Sequence, residues 1–475
     1  MLRKTGFLAL FSFAIWSLSS SFVFASDQAA SPDTTKIWIA IIILAVAAVL
    51  FLTEVIPLAM TSLMVPVLLV IFDVIPFGPA FSGFSNQWVL LFLMMFIVGE
   101  SLFRVGVASK IGKGIVSLAK NNETMLIVYV MIAGGIMSAF LSNTGTAAVL
   151  LPIMLAIGKS SNISPRKLLM PMAFGVSLGG MNTLIGTPPN GIVQSIFQES
   201  TGNAFGFFDY AKPSILVFIV GIIFMATIGK KILNKIAQRP VSGKYADSAI
   251  ANENITYRHD KAWIAVTVFV LIIFFMVMSP LWGNLFSNIP AVSEFFSRIP
   301  MVIYATIGAI AVVSFKALKP KEAFKAVDWT TIFLFAGMLS LSTALEETGA
   351  ATFIGNGIVN VTNQMPISPA LAALIGIVVV SVVLTNFMSN TATAALLAPI
   401  AIAISINLGI NPAPLLMGVG LGASACFLTP VATPPNTLVL GPGDFTFIDY
   451  IKAGWLLQLI SIILLIILIP IFFPF

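Results

Sequence analysis

Leu141-Ser142-Asn143-Thr144-Gly145-Thr146-Ala147-Ala148 is a polar, small-residue break in apolar sequence, and it returns as Met388-Ser389-Asn390-Thr391-Ala392-Thr393-Ala394-Ala395. Carried on to Pro152-Ile153 and Pro399-Ile400, the two copies are identical at nine of thirteen positions. A second pair, Thr187-Pro188-Pro189-Asn190 and Thr433-Pro434-Pro435-Asn436, follows at matched distance, 45 residues from Ser142 to Thr187 and 44 from Ser389 to Thr433. Apolar sequence uses few letters and resembles itself by chance. Two polar motifs recurring at preserved spacing mark an internal duplication. Inside lipid every backbone N–H and C=O needs a partner, so non-helical backbone persists only where protein or a water-filled cavity covers it. Broken helices in corresponding positions of two halves therefore point to a transporter's binding site. Their ends bring N–H groups and positive dipole ends to one place, which suits an anion.

The bulk composition supports a polytopic, all-α membrane protein. Of 475 residues, 58% are hydrophobic and 9% charged, with a mean hydropathy of +1.04; a soluble domain carries about 25% charged residues. The net charge of +6 does not mark a nucleic-acid binder, because the basic residues lie between apolar spans. The single cysteine, Cys426, sits in an Ala/Gly-rich apolar run and reads as a buried spectator thiol.

Residues 1–35 read as a signal peptide cleaved after Ala25 or as a short first transmembrane helix: Arg3-Lys4, an apolar run from Phe7 to Trp16, then Ser-rich sequence ending Val23-Phe24-Ala25. Apolar spans follow at about 37–56, 57–75, 87–103, 166–199, 212–230, 261–279, 299–315, 329–345, 413–441 and 451–470. Segments 124–158 and 366–408 carry the Ser-Asn-Thr motifs at their centres and read as helical hairpins that return to the side they came from. Segments 166–199 and 413–441 are too long for one straight helix and too short for two spans of about 20 residues. Each reads as a single crossing unwound at Thr-Pro-Pro-Asn, since proline lacks a donor and disfavours helix at the preceding residue.

Charge tests this topology. It places 21 of 24 Lys and Arg on the cytoplasmic side, leaving only Lys36, Lys212 and Arg298 outside. Two crossings at 166–199 would put the basic 230–261 loop outside. The first hairpin thus enters from the cytoplasm and the second, after Glu346-Glu347, from outside, with the carboxyl terminus periplasmic or extracellular. Five crossings separate them, so the repeats are inverted. Charge does not distinguish re-entrant from fully spanning hairpins. Val55-Ile56-Pro57 resembles Arg298-Ile299-Pro300, and Trp88 resembles Trp329 one span later, which extends the repeat. The parts are then 36–123 and 124–230 in the first repeat, a cytoplasmic linker at 231–260, and 261–365 and 366–475 in the second.

Ser, Asn and Thr supply hydroxyl and amide donors for carboxylate oxygens, and their carbonyl oxygens suit a hard cation. Neither motif contains Lys or Arg. A carrier must release what it binds, and a permanent charge in the membrane costs several kcal/mol unless paired. The plainer reading, that Ser and Thr pack helices or cap their ends, suffices for one motif but not for four in inverted pairs. Other polar residues are weaker candidates. Glu54 and Glu100 read as interfacial anchors, Glu346-Glu347 as an outer boundary and His259 as a solvated loop residue. Asn182 and Thr183 either line a pocket or pack. The chain has no HExxH or Walker motif and one His in a loop, which argues against an enzyme or an ATP-driven pump.

With Thr53-Glu54-Val55-Ile56-Pro57 upstream, the doubled Ser-Asn-Thr and Thr-Pro-Pro-Asn motifs resemble those of the divalent anion/sodium symporter family, over about residues 37 to 470. The resemblance implies an inverted-repeat, homodimeric elevator carrier in the bacterial inner membrane, coupling Na⁺ to a C4-dicarboxylate such as succinate, malate or fumarate. Its scaffold would be the spans before the first hairpin with 261–345; its moving part would hold the hairpins, the broken spans, 212–230 and 451–470. Carried over by position, Ser142, Asn143, Thr144, Ser389, Asn390, Thr391, Thr433 and Pro434 would contact substrate. Sodium would be held by Ser142, Asn143 and Gly186 in one half and by Ser389, Asn390 and Ala432 in the other. A sodium-independent exchanger and a sulfate or citrate carrier remain alternatives within the same fold.

Overall fold

The structure, a computed structural model, describes residues 32–119, 122–161, 163–238, 257–279, 294–295, 298–354, 366–431 and 433–475. Among these, every regular element is helical, and eight helices are long and apolar enough to cross a membrane. Nearly all of the amino-terminal segment, most of the linker and Ala432 lie outside the described residues.

The first repeat runs through α1 (Pro32–Thr53), α2 (Leu58–Ile71), α3 (Gln87–Arg104) and the short α4 (Val107–Ser117). A hairpin of α5 (Glu123–Phe140) and α6 (Asn143–Ser160) follows, then a broken crossing of α7 (Arg166–Gly180) and α8 (Pro188–Thr201). Helix α9 (Ala211–Phe224) continues through a π turn, Met225–Gly229, into α10 (Lys230–Ala237). The second repeat holds α11 (Ala262–Met278), α12 (Met301–Ser314), α13 (Pro320–Ala326) and α14 (Trp329–Thr348). Its hairpin is α15 (Pro369–Thr385) with α16 (Asn390–Leu408), its broken crossing α17 (Ala413–Ser424) with α18 (Pro434–Leu440), and α19 (Phe447–Phe472) ends the chain.

Identical motifs take identical conformations. Ser142 (φ −61, ψ 141) and Ser389 (φ −62, ψ 147) are N-caps whose hydroxyls accept from Gly145 N at 3.2 Å and Ala392 N at 3.1 Å. Thr187 (φ −146, ψ 140) and Thr433 (φ −136, ψ 136) are extended, as residues before proline prefer, and each is followed by Pro at the first helical position. Helices α7 and α8 have 15 and 14 residues, so neither reaches the length of about 20 that a crossing needs. Joined by the unwound residues 181–187, they make one crossing.

Packing crosses between the halves. Helix α2 lies on α14 as α12 lies on α3, and α8 lies on α16 as α18 lies on α6. Equivalent helices α3 and α14 run in opposite directions. Arg104, at the carboxyl end of α3, shares a pocket with Asp328, the N-cap of α14. Asn86, the N-cap of α3, instead bonds Glu199, whose neighbour Ser200 reaches Glu346 near the carboxyl end of α14. The repeats are inverted. Small residues permit the tightest contacts: a Cβ on Gly179 of α7 would overlap the Gly135 backbone of α5.

Two features depart from the sequence reading. The span expected to end near 230 runs on to Ala237, burying Leu233 and Ile236 while Lys231 and Lys235 stay exposed. Arg166, counted only as a cytoplasmic charge, is 2% exposed. Its Nε donates to the Gly443 carbonyl at 2.8 Å, Nη1 to the Ile236 carbonyl at 3.3 Å, and Nη2 to Asp444 Oδ2 at 2.7 Å. It ties α7 of the first repeat to α10 and to the loop after α18. Removing Arg166 leaves the Gly443 and Ile236 carbonyls without this donor, and an unpaired buried polar group costs about 1–3 kcal/mol. Arg166→Met is therefore expected to lower the melting temperature of detergent-purified protein by several degrees; an unchanged midpoint would remove Arg166 from the fold's stabilising contacts.

Candidate functional site

The hairpin tips and the two breaks converge on a cavity of about 240 Å³. Ser142, Asn143 and Thr144 line it from one tip, and Ser389, Asn390 and Thr391 from the other. Gly186, Thr187 and Pro188 line it from the first break, and Thr433 and Pro434 from the second. Across from them stand Phe92, Met95 and Phe96 of α3, and Asp328, Thr330, Thr331 and Leu334 at the start of α14. All eight residues singled out for substrate lie together, as does Gly186.

Among the described residues the lining is neutral apart from Asp328, with no Lys or Arg. Both Asp328 oxygens are engaged locally, accepting from Thr331 N at 3.2 Å and Thr331 Oγ1 at 2.6 Å. The Thr433 hydroxyl is buried on the cavity wall with no hydrogen-bond partner among the described residues. A buried hydroxyl without a partner costs about 1–3 kcal/mol, so Thr433 is a donor awaiting an acceptor.

Oxygen atoms crowd beside each tip. Ser138 Oγ donates to Asn143 Oδ1. A Cβ on Gly180 would run into Asn143 Oδ1 and lie 3.1 Å from both Ser138 Oγ and the Gly186 carbonyl oxygen. In the second half Thr385 Oγ1 lies against Asn390 Oδ1 at 2.8 Å and against the Ala423 carbonyl. One hydroxyl carries one proton and serves only one of these acceptors fully. Such clusters of neutral oxygens suit a hard monovalent cation. Ser138 and Thr385 escaped the sequence reading; both stand five residues before the motif asparagine, a shared offset that extending the comparison upstream would expose.

Asn182 and Thr183 do not line the cavity. Asn182 Nδ2 donates to the Leu178 carbonyl at 2.8 Å and the Gly179 carbonyl at 3.0 Å, and Thr183 Oγ1 donates to the Ala139 carbonyl. Both hold the first break in shape. A third repeated element, Phe205-Gly206-Phe207-Phe208-Asp209-Tyr210 and Phe445-Thr446-Phe447-Ile448-Asp449-Tyr450, braces the breaks from behind. Tyr210 OH donates to the Asn190 carbonyl at 2.8 Å and Tyr450 OH to the Asn436 carbonyl at 2.7 Å.

The cavity continues into a second pocket of about 310 Å³, sharing Phe96, Ser142, Thr144 and Asp328 and reaching Glu100, Arg104 and Lys325. That is the end of the bundle rich in basic residues. At the opposite end α8 is bonded to the α3 terminus: Asn86 Nδ2 donates to Glu199 Oε1 at 2.5 Å, and Gln87 Nε2 and Trp88 Nε1 each donate to Gln198 Oε1 at 2.7 Å.

A family model described as citrate transporter matches residues 48–409. The chain is 30% identical over 436 residues to an uncharacterized transporter of Haemophilus influenzae, covering 89% of each. It is 26% identical over 462 residues to the sodium-dependent dicarboxylate transporter SdcS of Staphylococcus saprophyticus, covering 89% of this chain and 84% of that one. Among solved structures it resembles the YdaH transporter of Alcanivorax borkumensis with a TM-score of 0.61 at 14% identity, over 93% of this chain and 98% of that one. That likeness concerns the fold alone.

A ligand at about 100 times its Kd stabilises the folded state by about 2.7 kcal/mol, and tenfold weaker binding removes about 1.4 kcal/mol of that. Na⁺ is expected to raise the melting temperature of the purified protein above its value in K⁺. Ser138→Ala and Thr385→Val should each shrink that rise, and the double variant should abolish it. An undiminished Na⁺ effect in the double variant would take these oxygens out of cation binding.

Proposed function

The chain belongs to the citrate transporter family, a family of multi-pass membrane transporters, and from that premise we propose that it is a secondary carrier coupling Na⁺ to a C4-dicarboxylate. One observation carries the reading: two inverted copies of Ser-Asn-Thr and Thr-Pro-Pro meet at one cavity that, among the described residues, no cationic side chain lines. A dianion there relies on the hydroxyls and amides of Ser142, Asn143, Thr144, Ser389, Asn390, Thr391 and Thr433, and on helix ends. Na⁺ beside Ser138, Asn143 and Gly186, and beside Thr385, Asn390 and the Ala432 position, offsets the substrate's charge and so makes binding conditional on the ion. The relative named as a sodium-dependent dicarboxylate transporter supports this choice of cargo.

Alternating access follows from movement of the hairpins, broken crossings, α9 and α19 against a scaffold of α1–α3 and α11–α14, an elevator within a homodimer in the plasma membrane. The pocket toward Arg104 and Lys325, and the Asn86–Glu199 bond at the other end, support reading this state as open to the cytoplasm. Citrate is the second reading, favoured by the description of the family model.

Radiolabelled succinate uptake into proteoliposomes tests the proposal. An inward Na⁺ gradient should drive accumulation that K⁺ does not support, with unlabelled citrate competing only if the second reading holds. Asn143→Ala and Asn390→Ala each remove a cavity amide worth about 1.5–3 kcal/mol to a charged partner, so uptake should fall roughly tenfold or more in either. Succinate uptake that proceeds equally without Na⁺, or survives both substitutions, would overturn the coupled site.

A further inference from the structure

Away from the cavity, at the same end of the bundle as Arg104 and Lys325, α10 and the start of α19 enclose an open groove of about 750 Å³. Lys231 and Lys235, one helical turn apart, and Lys452 rim it; Ile228, Ile232 and Ile451 supply its apolar wall, with Trp455 beside them. The three lysines are exposed and have no ion-pair partner among the described residues. Their neighbours are committed instead: Lys167 and Lys230 to Glu123 at 3.0 and 3.7 Å, and Arg166 to Asp444. The one acidic residue lining the groove among the described residues, Asp449, is 3% exposed and accepts from Thr446 N at 2.8 Å and Thr446 Oγ1 at 2.9 Å, closing the first turn of α19.

Depth identifies the environment. The continuous helix Ala211–Ala237 has 27 residues. At 1.5 Å per residue it is about 40 Å long against a hydrocarbon core of about 30 Å, so its last turns project into the headgroup layer. Trp455 is 53% exposed two turns into α19, at the level where interfacial tryptophans gather. Cations over an apolar floor at that depth match a phosphodiester whose acyl chains run down the protein surface.

We propose that this groove binds an anionic phospholipid of the cytoplasmic leaflet, its phosphate held by Lys231, Lys235 and Lys452 and an acyl chain lying along Ile228, Ile232 and Trp455. A soluble phosphate would use the lysines but gain nothing from the apolar wall. The inference needs the membrane-spanning fold and the orientation read from charge, and stands whatever the carrier transports.

Native mass spectrometry of the full chain in detergent, with phosphatidylglycerol or phosphatidylcholine added, reads the site. The protein and a Lys→Arg triple variant should retain phosphatidylglycerol; K231Q/K235Q/K452Q should retain roughly tenfold less or lower still, and phosphatidylcholine should not be retained. Equal retention of both lipids, or undiminished retention by the Gln triple, would overturn the proposal. So would displacement of the lipid by sn-glycerol 3-phosphate at equal concentration, which would assign the lysines to a soluble anion. A second readout does not depend on the charge variants: acyl-brominated phosphatidylglycerol should quench tryptophan fluorescence less in Trp455→Phe, and unchanged quenching would remove the lipid from the groove.

Discussion

Backbone that leaves the helix inside a membrane has nowhere to send its hydrogen bonds except to other parts of the same protein. Residues 181–187, and 425–431 with Thr433, are two such stretches, and much of the surrounding architecture serves them. Asn190 Nδ2 donates to the Met181 and Thr183 carbonyls at 3.3 and 2.8 Å; Asn436 Nδ2 donates to the Cys426 and Thr429 carbonyls at 3.3 and 3.0 Å. Thr429 Oγ1 reaches across to the Asn386 carbonyl at 2.8 Å, as Thr183 reaches Ala139. Each break is thus folded back on itself by the asparagine of its own Thr-Pro-Pro-Asn and pinned to the adjacent hairpin by a threonine. Proline and asparagine in that motif have separable tasks: the prolines open the helix, and the asparagine satisfies what opening exposes.

Satisfying the first break internally leaves Gly186 and the residues of both tips to line the cavity. This links the fold constraint to the chemistry. A site assembled from helix ends and neutral oxygens carries no fixed countercharge, so on the proposed reading the cation is part of the anion's binding site. A lysine in the lining would hold a dianion more tightly and release it more slowly, and would make the ion dispensable.

What the sequence made visible follows the cost of each residue in lipid. Ser-Asn-Thr and Thr-Pro-Pro-Asn stood out because polar residues and prolines in apolar sequence need a reason, and their recurrence at matched spacing supplied one. Ser138 and Thr385 did not, because they differ in letter and a lone hydroxyl on a transmembrane helix looks like ordinary packing. The Asp-Tyr elements were hidden by length. Tyr210 follows Asn190 by 20 residues and Tyr450 follows Asn436 by 14, since α8 is twice the length of α18. A search at fixed spacing passes over a pair whose spatial roles coincide. Arg166 was legible only as a charge on one side, because burial depends on Gly443 and Asp444, 277 and 278 residues away in the chain.

The two tips are equivalent in sequence and backbone but not in surroundings. Asn390 and Thr391 are 9% and 8% exposed beneath α14, whereas Asn143 is half-buried and Thr144 exposed toward the pocket that holds Arg104 and Lys325. One local difference tracks this. At Gly145 a Cβ would strike the Phe103 ring, while its counterpart Ala392 carries a Cβ in a fully buried position. Inverted repeats with the same internal hydrogen bonds have no intrinsic reason to prefer one side; the preference comes from what each tip packs against. On the proposed elevator reading, exchanging those neighbours would be the transport step, the second tip leaving α14 as the first loses its exposure toward the Arg104 pocket. On that reading the free-energy difference between the two states would reside in scaffold contacts such as Phe103–Gly145 and Asn86–Glu199, while the tip and break residues of the site would pass from one side to the other together.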